Sequence, residues 1–152
     1  MSLVTEEIEN ACITLGLKES DMRLLSFDEN ENLYNELYSS FVKGGDRKWW
    51  WESFKDIEAS CVVENGMGFK LIPELVPDPN DNLWFVVEED QLEFYPIFET
   101  TASVATAIIG ECYAFEYYLI PKDKTWLLCE THHNRLIGVG NEIIGKLSEV
   151  AV

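Results

Sequence analysis

Three apolar segments near the end of the chain, separated by two short polar breaks, restrict the fold more than anything else in it. They are "YAFEYYLIP" at 113–121, "TWLLCE" at 125–130 and "RLIGVG" at 135–140. The breaks are Lys122-Asp123-Lys124 and "THHN" at 131–134. A parallel crossover needs a dozen or more residues, so breaks this short allow only hairpins. The last third of the chain is therefore expected to be an antiparallel meander.

Further strands are expected upstream. "IEASCVV" at 57–63 reads as a strand and "ENGMG" as the turn after it. "LWFVVEE" at 83–89 is apolar on both faces, which suits a central strand. "QLEFYPIF" at 91–98 is extended, with Pro96 marking an edge or a bulge. "PELVPDPNDN" reads as a loop. A short strand over Met22–Leu25 interrupts the connector "SDMRLLSFDENEN".

Helices account for the rest. Val4, Ile8, Ala11, Cys12 and Leu15 recur at helical spacing, with Glu6, Glu7 and Glu9 near the start, where the macrodipole favours acids. Leu33, Tyr34, Leu37, Tyr38 and Phe41 form one face of a second helix, stopped at Gly44-Gly45. "TTASVATAIIGE" is a third, capped by Thr100 or Thr101, and "NEIIGKLSEV" is a short C-terminal helix begun at Asn141. The expected fold is α+β, one domain over 1–152, with an antiparallel sheet of about five strands and helices packed on one side. Leu37, Phe41, Phe85, Val87, Tyr117, Leu119, Leu127 and Ile137 are the expected core. Three consecutive tryptophans at 49–51 cannot all point inward, so at least one must be partly exposed or cover a neighbouring element.

Charge narrows the function classes. The formal net charge is −17 and the sequence pI near 4.3. Such a chain repels nucleic acid and anionic lipid, and a basic protein is the partner that suits it. The acids are unevenly placed. Between Leu71 and Pro121 there is no Lys or Arg, whereas ten acids occur: Glu74, Asp78, Asp81, Glu88, Glu89, Asp90, Glu93, Glu99, Glu111 and Glu116. Solubility alone is served by interspersed signs. The start "MSLVTEEIEN" lacks the basic and apolar regions of a signal peptide, and the apolar runs are too short to span a bilayer, so the expected location is the cytoplasm. Cys12, Cys61, Cys112 and Cys129 form no C-x-x-C pair and are expected as reduced, buried thiols.

Two stretches carry candidate sites. "CETHHN" at 129–134 places Glu130, His132 and His133 together. On a strand Glu130 and His132 would share a face. A zinc site needs three or four convergent ligands, and a third would have to come from Asp123 or Glu116 on a neighbouring strand. No metal, cofactor or catalytic residue is assigned on this pattern. "WLLC" points to burial of Cys129, and "GVGNEIIG" lacks the spacing of a phosphate-binding loop. "EEDQLEFYPIFE" at 88–99 is the second stretch, an acidic surface bearing aromatics. Trp84, Glu88, Glu89, Asp90, Glu93 and Tyr95 are its candidate partner-binding residues, with the 49–51 tryptophans as further anchors. The competing account is a solvated edge strand guarded by charge.

"WWWESF" and "TWLLCETHHNRLIGVG" together resemble an uncharacterised family of small bacterial domains, in which a Trp-bearing strand runs into a Glu-x-His-His turn and an apolar-Gly strand. That likeness covers about thirty residues and implies no activity. In size, acidity and α+β order the chain is also similar to acidic bacterial immunity proteins, including those of the SUKH superfamily. This second likeness implies a basic partner such as a toxin.

The expected function is thus non-enzymatic binding of a basic protein, of immunity or regulatory type. The alternative is a small enzyme or metal protein centred on Glu130, His132 and His133. A third convergent ligand or a concave pocket at the His-His turn would favour the alternative. No oligomeric state is assigned.

Overall fold

The structure, a computed structural model, describes residues 3–44, 50–55, 58–64, 67–112 and 115–150. Its elements run α1 (Val4–Leu15), β1 (Arg23–Leu24), α2 (Phe27–Phe41), β2 (Glu58–Val62), α3 (Ile72–Leu75), β3 (Asn82–Val87), β4 (Ile97–Thr101), α4 (Ala102–Glu111), β5 (Tyr117–Pro121), β6 (Leu127–Glu130), β7 (Arg135–Val139) and α5 (Asn141–Val150). Short 3-10 turns lie at Trp50–Glu52 and Gly68–Leu71. The α+β class is as expected.

All seven strands join one sheet in the order β1-β4-β3-β5-β6-β7-β2, and every neighbouring pair is antiparallel. The predicted meander is β5-β6-β7, and β3 is interior. The strand count exceeds the expected five because β1 and β4 also pair. β1 is the short strand expected over Met22–Leu25. Pro96 lies just before β4, and its carbonyl accepts from Val87 N–H at 3.1 Å. It neither marks an edge nor sits in the ladder, since β4 lies between β1 and β3.

The expectation of helices on one side is corrected. Successive residues are buried at Phe85–Val87 of β3, Tyr117–Ile120 of β5, throughout β6 and at Leu136–Val139 of β7, so both faces of the sheet need cover. One face carries Leu83, Phe85, Val87, Tyr117, Leu119, Leu128 and Leu136 beneath α1, α3, α4 and α5. The other carries Val86, Tyr118, Ile120, Leu127, Cys129, Ile137 and Val139 beneath α2 and the Trp50 turn. All eight expected core residues are buried. Gly138 faces α5, and a Cβ there would come 2.2 Å from Ile143 Cγ2, so this close approach requires glycine.

Local sequence explains the helix ends. Ser26 and Glu29 form a reciprocal capping box that begins α2 earlier than expected, taking in part of the connector. Thr101 caps α4 by accepting from Val104 N–H at 3.2 Å. The loop expected at "PELV" begins instead as α3, with Pro73 in its first turn, where the missing N–H costs nothing. Asn141 is the first residue of α5. Gly45 and Trp49, named in the sequence, lie outside the described residues. Trp50 is fully buried, and Trp51 is half-buried over the His132-His133 turn. Only Cys129 is a buried thiol; Cys12, Cys61 and Cys112 are half-buried, and all four are free. No helix among the described residues is long and apolar enough to cross a membrane.

Candidate functional site

Where β3 ends and β5 begins, the antiparallel register sets two carboxylates face to face. Val87 pairs with Tyr117, so the next residues out, Glu88 and Glu116, are opposite one another, and Glu88 N–H donates to the Glu116 carbonyl at 3.0 Å. Like charges directly across a ladder repel. Glu116 is also buried, at 5% exposure.

The β6-β7 turn supplies partial relief. Asn134 adopts a left-handed conformation with φ of 60°, and Asn134 N–H donates to the Thr131 carbonyl at 3.1 Å. His133 N–H donates to Thr131 Oγ1 at 3.2 Å. This turn brings His132 back over Glu116. Glu116 Oε2 accepts the His132 backbone N–H at 2.8 Å and lies 2.7 Å from His132 Nδ1. Its other oxygen, Oε1, is buried and meets no donor unless Glu88 carries a proton.

Glu88 is placed to supply that proton. Burial, then the Glu116 and Asp90 carboxylates, push the Glu88 carboxyl up to about 9. Burial alone would raise Glu116 too. The hydrogen bond from Glu88 and both contacts from His132 outweigh it and hold Glu116 below the usual carboxylate range. The pair thus keeps one proton between two carboxylates. It sits at the edge of an aromatic cluster in which Trp50 packs 5.0 Å from Tyr118 and 5.9 Å from Tyr95. Above it lies an open cleft of about 500 Å³, whose walls include Glu88, Glu89, Asp90, Phe115, Glu116 and His132.

The candidate residues from the sequence fall in different places. Glu88 and Asp90 border the cleft. Glu89 borders it as well, and its Oε1 accepts Val4 N–H at 2.8 Å, closing the start of α1 where Leu3 offers no side-chain cap. Glu93 is exposed beside an apolar groove that includes Leu24, Phe27 and Leu92. Tyr95 is only 4% exposed and belongs to the core, so its expected part as a surface anchor is corrected. Trp84 is half-buried, four residues along β3 from Glu88, with Lys122 Nζ 4.9 Å from its ring centroid. Glu99 is engaged by Arg23 and Lys122.

Glu130, His132 and His133 do not share one set of partners. The two imidazoles are exposed, stand 3.9 Å apart between centroids, and each meets Trp51 at 5.9 Å. Glu130 turns inward to Tyr117, whose hydroxyl donates to Oε1 at 2.9 Å. Among the described residues no group of three or more His, Cys, Asp or Glu side chains is arranged to hold a metal ion. A second pocket, of about 300 Å³, does lie beside the turn and is bordered by Glu130 and His132.

Residues 2–151 match the model of a family of unknown function, DUF6756. The chain belongs to this family. No curated protein and no solved structure matches it. Membership in DUF6756 agrees with the expectation of an uncharacterised family and carries no activity with it.

Proposed function

We propose that this DUF6756 chain is a non-enzymatic binding protein that receives a basic protein partner, of the immunity or regulatory type, at the acidic cleft. The observation that carries the reading is the Glu88-Glu116 pair under that cleft. Two carboxylates that share a proton form a site awaiting a cation. A lysine or arginine entering the cleft would replace the proton, donate to Glu116 Oε1 in its stead and leave both carboxylates charged. Asp90 and Glu93, both exposed, extend the negative field outward and suit the steering of a basic surface.

One observation favours the competing enzyme reading, namely the pocket bordered by Glu130 and His132. Three others oppose catalysis there. The thiol on the adjoining strand, Cys129, lies on the opposite face of the sheet, and burial pushes its pKa well up. Cys112, at the pocket, is raised to about 11, chiefly by burial, so it is not an activated nucleophile. Glu130 already accepts from Tyr117 and has no histidine partner.

The test is kinetic. A basic protein captured on the immobilised chain is expected to associate fast, with a rate that falls as salt rises, since screening acts beyond a Debye length of about 10 Å at 0.1 M. The combined variant E88Q/E89Q/D90N/E93Q should slow association more than it speeds dissociation. Identical on-rates and salt slopes for the two proteins would overturn the reading, as would capture of acidic proteins alone.

A further inference from the structure

We propose that the pocket beside Glu130 binds a small ligand consisting of a protonated amine on an apolar body about the size of one aromatic ring. The pocket lies between the 3-10 turn at 68–71, the end of α4 and the β6-β7 hairpin, and Met67, Phe69, Ile109 and Phe115 form its apolar walls. Its volume is about 300 Å³. An apolar cavity of about 150 Å³ already holds benzene, so one ring with a short polar arm fits.

Glu130 supplies the polar contact. It is 8% exposed, which is costly for a carboxylate unless a partner repays the lost hydration. Tyr117, directly opposite on β5, fixes Oε1 through its hydroxyl. Oε2 meets no donor among the described residues. Oε2 packs against Gly68, where a Cβ would stand 2.6 Å from it, so a larger residue at 68 would displace the carboxylate. Gly68 has no left-handed φ, so its small size, not its backbone freedom, is what the position uses. A buried, oriented carboxylate with one oxygen not engaged by Tyr117, bordering a pocket that has apolar walls and no lysine or arginine among its described residues, selects a cationic donor and rejects an anion.

The site is separate from the acidic cleft, with Phe115 and His132 standing between the two. It requires no protein partner, so its failure and the failure of the partner reading are distinguishable.

Benzylamine is the probe, titrated into protein labelled at the Met67 and Ile109 methyl groups and followed by NMR. Saturable shifts at both methyls are expected, with none from benzoate. Glu130→Gln keeps an acceptor for Tyr117 but removes the charge, and should weaken benzylamine by at least about tenfold, as should replacing the probe with benzyl alcohol. Should Glu130→Gln fail to fold, Gly68→Ala, which displaces the carboxylate, is read by the same criterion. Equal affinity of wild type and variant for benzylamine would overturn the proposal. So would equal affinity of benzyl alcohol and benzylamine, or the absence of saturable shifts at Met67 and Ile109.

Discussion

Glu116 shows how one residue can be visible in a sequence while its role is not. It appears there as one of ten acids in a stretch without a base, and as one of two carboxylates that register might bring to His132. The register does bring it, because the four-residue turn at 131–134 folds His132 onto the strand next door. Its opposition to Glu88 depends on β3 pairing with β5 across an intervening strand and helix, which no local pattern announces. The pairing has a consequence for stability. Glu88 binds its proton more tightly in the folded chain than in the unfolded one. That contribution is complete below the unfolded carboxylate range and is lost as pH rises toward about 9. A Glu88→Gln variant is neutral throughout. Its Tm should fall less than that of wild type between about pH 5 and about pH 9, with a residual slope from Glu58 and Glu130, which burial also raises. Parallel curves in thermal melts would contradict the shared proton.

At the scale of elements, long periodic segments were readable and short ones were not. The meander follows from its short polar breaks, and α1, α4 and α5 from helical spacing and caps. By contrast, β4 begins only at the end of the stretch read as extended, and α3 is four residues around a proline. The two-sided cover was foreshadowed by "LWFVV" and "YYLI", in which successive residues are apolar and none can face water. Leu127 tests that second layer. It is fully buried beneath α2 and the Trp50 turn, so Leu127→Ala should cost about 2–5 kcal/mol in denaturant unfolding. A change of a few tenths would mean this face is loosely packed. On the opposite layer, Gly138→Ala should destabilise by about 1–3 kcal/mol, because the added methyl meets Ile143 and Leu147 of α5. An unchanged midpoint would show that α5 can shift away without penalty.

For the whole molecule, the negative charge is structured as well as large. Part of it is internal: Glu99 and Glu36 meet lysines, and Glu89 closes α1. Another part, Glu88, Asp90 and Glu116, lines a cleft whose floor is the Glu88-Glu116 pair. No metal is needed to explain this arrangement. Purified protein is accordingly expected to carry no stoichiometric zinc and to keep its Tm under chelation; one zinc per chain by elemental analysis would instead promote the reading built on Glu130, His132 and His133. The most direct test of the account is a carboxyl-carbon NMR titration of the glutamates, assigned with Glu88→Gln and Glu116→Gln. The account predicts one glutamate, Glu88, that remains protonated at neutral pH and titrates near pH 9, leaving the free protein one unit less negative than its formal −17, and it predicts that this titration moves down in Glu116→Gln. Titration of every glutamate within the ordinary carboxylate range, about pH 3 to 6, would contradict it.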